Sequence, residues 1–231
     1  MKRILVTGAS SGIGAEVARH FLDNGWHVGL MARRRDALER VAQDHENADV
    51  LVADVTREGE VKAAFDAFGE IDVLFNNAGT FGVPGCIDEI PLETWHEVVA
   101  VNLTGMFLCA REAFARMRAQ GGRIINNGSI SAHVPRENAV CYTTTKHAIT
   151  GLTKQLSLDG RALGIACGQI DIGNARTELL EELAARTGVP QPMMQVGDVA
   201  KGVMYMASLP PEANVQFMTV MAREMPYIGR G

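Results

Sequence analysis

The sequence predicts a doubly wound α/β fold, a parallel sheet of about seven strands with helices on both faces, in a single domain over residues 1–231. Short β-branched runs alternate strictly with longer amphipathic stretches along most of the chain. The short runs are nearly continuous in apolar residues, as expected of parallel strands covered on both faces. With 231 residues, 47% of them hydrophobic, the chain can bury one large core, and single α/β units commonly reach this length.

Ile4–Thr7 reads as the first strand and runs into Gly8, Gly12 and Gly14, so helix Gly12–Asn24 starts from a glycine-rich turn. Trp26–Met31 is the second strand, followed by Arg33-Arg34-Arg35 and helix Arg35–Glu46. Val50–Ala53 leads to helix Glu58–Phe68, and Val73–Phe75 leads to the long helix Glu93–Ala119. Arg123–Asn126 precedes a second long helix, Cys141–Leu163, and Gly164–Ile170 is the sixth strand. Residues 173–197, with Pro190 and Pro192 among them, interrupt the alternation and are expected to leave the sheet as a lid over the substrate. The apolar run Val215–Val220 supplies a last strand. No internal repeat or linker divides the chain.

Composition excludes several functions. The net charge is −5 and the densest basic run is three residues, so nucleic acid is not expected as a partner. Cys86, Cys109, Cys141 and Cys167 are widely spaced with no C-x-x-C, which speaks against structural zinc or a disulfide framework and suits a reducing compartment. His96-Glu97 opens like H-E-x-x-H but lacks the second histidine, so no metal site is expected. The first apolar run ends in the glycine turn by residue 8, and no segment reads as long enough to span a membrane. A cytoplasmic location follows as the expectation.

Tyr142 and Lys146 stand four residues apart in CYTTTKHAITGL, so both project from one helix face. A phenol, with a reference pKa of about 10, is a poor proton donor near neutrality, and an ammonium beside it favours the phenolate. Ser129 lies thirteen residues earlier, in RIINNGSIS. The alternative for Tyr142 is an ordinary packed aromatic. A hydrolase built on Ser129 with His133 or His147 is a further alternative, but Asn127-Gly-Ser-Ile-Ser is not the G-x-S-x-G elbow, and no acid partner stands out. At the other end of the chain, the glycine turn between strand and helix suits a pyrophosphate on free helix N–H groups; a merely structural turn is the alternative.

In these residues the chain resembles the short-chain dehydrogenase/reductases. Thr7–Gly14 (TGASSGIG), Ala53–Val55 (ADV), Asn76–Gly79 (NNAG), Val101–Gly105 (VNLTG), Ser129 and Tyr142–Lys146 (YTTTK) fall in that family's order and cover the chain to about residue 177. The resemblance implies a Rossmann-type fold and a catalytic set of Ser129, Tyr142, Lys146 and Asn102. It implies cofactor contacts from Gly8, Ser10, Ser11, Gly12, Ile13, Gly14, Asp54, Val55, Asn77, Ala78, Gly79, Tyr142, Lys146 and Thr177, with Asp54 at the adenine. Two departures stand out. Ile172-Gly173 replaces the family's usual Pro-Gly, which is expected to loosen that loop and weaken the carry-over to Thr177. The C-terminal MTVMAREMPYIGRG lacks the family's frequent acidic, Gly-rich ending.

Cofactor choice is decided past the second strand, where NAD selection generally needs an acid. This chain has Leu30-Met31-Ala32-Arg33-Arg34-Arg35, with no acid until Asp36. Arg33, with Arg34 beside it, can pair with a 2′-phosphate, so NADP (NADPH) is expected over NAD; three arginines that only solvate a helix start are the alternative. The expected function is an NADP(H)-dependent oxidoreductase interconverting a ketone and a secondary alcohol. Its rival is a catalytically silent NADP-binding regulatory or scaffold protein of the same fold. Substrate-lining residues are expected from His133–Asn138 and Asn174–Gln195, where Leu179, Leu180, Leu183, Met193 and Met194 suit either the core or an apolar substrate. The excess apolar surface of the two long helices predicts a homodimer or homotetramer.

Overall fold

The computed structural model describes residues 1–43, 45–178, 180–181 and 191–228. Its elements follow as β1 (Arg3–Thr7), α1 (Gly12–Asp23), β2 (His27–Ala32), α2 (Arg35–Ala42), β3 (Ala48–Val52), α3 (Glu58–Phe68) and β4 (Val73–Asn76). After them come α4 (Leu92–Val99), a π-helical turn (Ala100–Gly105), α5 (Met106–Met117), β5 (Gly122–Asn127), α6 (Val140–Gly160), β6 (Ile165–Ile172), α7 (Val196–Ser208) and β7 (Phe217–Val220).

The strands form one sheet in the order β3-β2-β1-β4-β5-β6-β7, and every pair is parallel. The order reverses between β1 and β4, and the crevice beyond the carboxyl ends of strands at such a point is where this architecture receives ligands. Alternation along β1 divides the core. Ile4 and Val6 face Phe21, Leu38, Val199 and Val203 on one side. Leu5 faces Phe65, Leu108 and Met117 on the other. Helices cover both faces of the central strands, so side chains of both parities along β1 are buried.

Several expectations are corrected by this arrangement. The second helix stops at Ala42, short of Glu46. Gln43 caps it at φ 43°, with its N–H still on the Glu39 oxygen. The long helix expected over 93–119 is three pieces, because the backbone widens by one residue per turn between α4 and α5. Contrary to expectation, the run Leu92–Met117 is long and apolar enough to cross a membrane by length and composition. Here its buried residues Val98, Met106, Cys109, Ala113 and Met117 belong to the protein core.

Helix α7 went unforeseen, although Val199, Val203, Met206 and Ala207 mark its buried face at helical spacing. The excursion from the sheet therefore ends at Val196. Its two ends are tied together, Arg176 N–H donating to Met194 O at 2.8 Å and Met194 N–H to Asn174 O at 2.9 Å. Leu179 and Leu183 lie outside the described residues. Replacing the expected proline with Ile172 lets β6 continue rather than loosen: Ile172 stays in register with Val220, and Gly173 N–H donates to Val220 O at 2.8 Å.

Candidate active site

The glycine turn is shaped by close approach. Gly8 and Gly12 hold φ of 68° and 54°, values that L side chains rarely adopt. At Gly14 a Cβ would run into the Gly8 carbonyl and stand 2.6 Å from Asn77 Nδ2, so α1 presses directly on the β1 turn. The helix begins at Ser11, whose side chain makes no capping bond, and its first turn holds no acidic residue. Its leading N–H groups, with Ser10, Ser11, Gly12 and Ile13 around them, are left for an anion. These residues fit a dinucleotide pyrophosphate. A cleft of about 970 Å³ opens there, with Ser10, Gly12 and Arg34 along one wall and Arg176 and Thr177 along the other. Thr177 Cγ2 lies 3.4 Å from where a Gly12 Cβ would be, so Thr177 closes the cleft over the turn.

At the far end of that cleft, past β2, Arg34 reaches Ser10 Oγ at 3.4 Å. Asp36, the acid nearest the arginine triplet, is taken up by Arg40 at 3.0 Å. Among the described residues neither Arg33 nor Arg34 has a carboxylate within ion-pair distance. Burial pushes the Asp54 carboxyl up, but hydrogen bonds from the Thr56 main chain and hydroxyl, with the Arg33 and Arg57 charges, hold it below the ordinary carboxylate value. Val55 beside it packs against Gly105.

A polar chain runs from the turn to the other candidates. Thr7 Oγ1 accepts the N–H groups of Asn77 (2.8 Å) and Ala78 (2.9 Å), and Asn77 Nδ2 donates back to Thr7 O at 2.9 Å. Asn127 Nδ2 donates to Asn77 Oδ1 at 2.7 Å, and Lys146 Nζ donates to Asn127 O at 2.7 Å. The ammonium sits 5.5 Å from the Tyr142 ring centroid, so both side chains do share one face of α6. Phe81 packs against the Tyr142 ring at 4.9 Å.

Asn102, in the π-helical turn, accepts from Thr80 N–H at 2.7 Å and donates to Thr80 O at 2.8 Å and Thr145 Oγ1 at 3.2 Å. It thereby holds Gly79 and Thr80 against α6, one residue from Lys146. Ser129 follows β5 and is buried; its Oγ accepts from Ser131 N–H at 3.1 Å. Its own N–H donates to Asp171 Oδ1 at 3.0 Å.

Asp171 is the residue the sequence reading missed. It is fully buried at the end of β6 and also bonds His133 Nε2 at 2.8 Å. Thus His133 has the acid partner that local sequence did not reveal. Among the described residues no hydrogen bond joins His133 to the Ser129 hydroxyl, which accepts from the Ser131 main-chain N–H, so the Ser–His link of a hydrolase triad is not made.

Residues 2–188 match the family described as short chain dehydrogenase. The 2-(R)-hydroxypropyl-CoM dehydrogenase of Xanthobacter autotrophicus is 36% identical over 233 residues, covering 90% of this chain and 92% of that protein. L-fucose dehydrogenase of Oryctolagus cuniculus is 34% identical over 204 residues, 87% of this chain and 72% of that one. The solved 3-ketoacyl-(acyl-carrier-protein) reductase from Brucella melitensis, complexed with NADH, matches with a TM-score of 0.88 at 28% identity, over 96% of this chain and 97% of that chain. Actinorhodin polyketide ketoreductase, solved with NADPH, matches with a TM-score of 0.86 at 28% identity over 96% of each chain.

Proposed function

The chain belongs to the short chain dehydrogenase family, oxidoreductases acting on alcohol and ketone groups, and we propose that it is an NADP(H)-dependent member interconverting a ketone and a secondary alcohol. The observation that carries this reading is the polar chain Thr7–Asn77–Asn127–Lys146, which joins the glycine turn to the Tyr142–Lys146 face. It supports a reading in which an anion-binding helix start and a proton-transfer pair share the carboxyl ends of the central strands, an arrangement suited to hydride transfer.

The residues fit the cofactor in parts. Gly8, Ser10, Ser11, Gly12, Ile13 and Gly14 would hold the pyrophosphate, with Thr177 across the cleft. Asp54 and Val55 would flank the adenine, and Asn77, Ala78 and Gly79 would line the path toward the nicotinamide. Arg33 and Arg34, with no carboxylate claiming them among the described residues, favour a 2′-phosphate and hence NADP over NAD.

When bound, the cofactor is the hydride donor in reduction and the acceptor in oxidation. During reduction Tyr142 donates its phenolic proton to the carbonyl oxygen, while the Ser129 hydroxyl hydrogen-bonds that oxygen and orients it. Lys146, anchored on Asn127 O, stabilises the phenolate left behind. In this reading Asn102 holds a water that relays protons toward Lys146. The reading includes a cytoplasmic location, in keeping with four free thiols, and a homo-oligomer.

Oxidation of NADPH, with NADH in parallel, against a mixed panel of ketones and aldehydes tests it. Turnover with NADPH preferred is expected. Binding of NADPH without oxidation of it by any carbonyl would instead establish the silent scaffold.

A further inference from the structure

Asp171 is a buried carboxylate in an otherwise dry sheet, and burying one is costly unless its oxygens are filled. Three donors fill it: Ser129 N–H and Gln169 Nε2 on Oδ1, at 3.0 and 2.7 Å, and His133 Nε2 on Oδ2 at 2.8 Å. Gln169 is itself tied to α6, donating to Thr150 Oγ1 and accepting from Thr153 Oγ1, each at 3.1 Å. Gly128 makes room, because a Cβ there would collide with Asp171 Oδ1. The carboxylate is therefore rigid with respect to the helix that carries Tyr142.

His133 is different in kind. Its side chain is 37% exposed while the Asp171 side chain is 0% exposed, so one edge of the ring is anchored and the other is open. With Nε2 taken up by the carboxylate, Nδ1 is the ring's second polar atom. Among the described residues Nδ1 has no hydrogen-bond partner. The Ser129 main-chain N–H and His133 Nε2 are held by the two oxygens of one carboxylate, which fixes the imidazole relative to the Ser129 backbone four residues before it.

We propose that His133 is a substrate-binding residue of this site, with Asp171 its positioning residue, and that it selects ketones bearing a hydroxyl a few bonds from the carbonyl. This rests on the oxidoreductase reading above. A hydroxyl is the function that satisfies the open nitrogen in either state, donating to a bare Nδ1 or accepting from a protonated one. A methyl in its place would leave the nitrogen desolvated and unpaired, and that penalty is what generates selectivity.

Two matched pairs test it, hydroxyacetone against 2-butanone and 4-hydroxy-2-butanone against 2-pentanone, each pair exchanging a hydroxyl for a methyl. The wild-type enzyme with NADPH is expected to favour the hydroxy member of at least one pair by about tenfold in kcat/KM, as one satisfied hydrogen bond allows. His133→Leu should abolish that preference through KM rather than kcat, with NADPH affinity retained. Nitrogen-15 spectra of the imidazoles should show a protected Nε2 proton that is lost in His133→Leu and exposed to exchange in Asp171→Asn. The same preference in wild type and His133→Leu, or no protected ring proton, overturns the proposal. If other ketones are reduced and neither pair shows a preference, this inference alone fails; if no ketone is reduced, the oxidoreductase reading fails with it.

Discussion

Lys146 and Asn127 are joined at 2.7 Å, the buried ammonium donating to the main-chain oxygen at the end of β5. The same asparagine reaches Asn77 through its side chain, so one residue couples the α6 ammonium to the glycine turn. A lysine left loose on a helix would sample several rotamers; this one is held beside the Tyr142 ring.

Tyr142→Phe should lower kcat by roughly 10²- to 10⁴-fold, the usual contribution of a positioned proton donor. The ring's packing on Phe81 survives the change, so NADPH affinity should move little. Steady-state turnover with fluorescence titration of NADPH checks both. Near-wild-type turnover would remove Tyr142 from the role of acid.

Arg33→Ala should weaken NADPH binding about ten- to a hundredfold and NADH binding far less. A hydrogen bond to a charged group contributes about 1.5–3 kcal/mol, and NADH lacks the phosphate that would receive it. Parallel titrations decide the matter, and equal losses would mean that the arginine serves the fold.

Gly14→Ala should destabilise the protein by about 1–3 kcal/mol, the usual cost of forcing an extra carbon into a filled contact. The new Cβ meets the Gly8 carbonyl and Asn77 Nδ2, both part of the turn. Thermal melting should fall and cofactor affinity with it. An unchanged Tm would show that α1 can shift at little cost.

The thiols should differ sharply in reactivity. Burial pushes Cys109 and Cys167 up to about 12, so almost no thiolate exists at pH 8, and neither side chain is reachable. Cys86 is exposed. Iodoacetamide followed by peptide mass spectrometry should label Cys86 first, with Cys109 and Cys167 labelled only on unfolding.

Phe107 on α5 and Leu158 on α6 remain 47% and 55% exposed, whereas Val98, Met117 and Ile149 are fully buried. Each long helix thus has apolar surface that its own subunit leaves uncovered. A two-fold pairing would bury it. Sedimentation at low micromolar concentration should show a dimer or tetramer, and Phe107→Glu should shift it toward monomer. A monomeric wild type would defeat the expectation.

Much of this was legible beforehand because its signals are local. Helix α3 occupies Glu58–Phe68 as its pattern indicates, and the glycine turn is announced by three residues that few others can replace. The π-helical turn was not legible, because Ala100–Gly105 has the composition of ordinary helix and the widening is a backbone choice. Helix α7 was readable in principle from Val199, Val203 and Met206, and was lost behind the proline-containing stretch before it.

By itself the sequence determined the alternation of strands and helices, the glycine turn, and the pairing of Tyr142 with Lys146 across one helical turn. Those follow from periodicity and steric freedom within a few residues. Only the tertiary structure decided what surrounds them. Asp171 meets His133 across 38 residues and Asn127 meets Asn77 across 50. No spacing rule reaches so far; parallel strands bring such residues together through sheet order and register, which the packing of the whole chain selects.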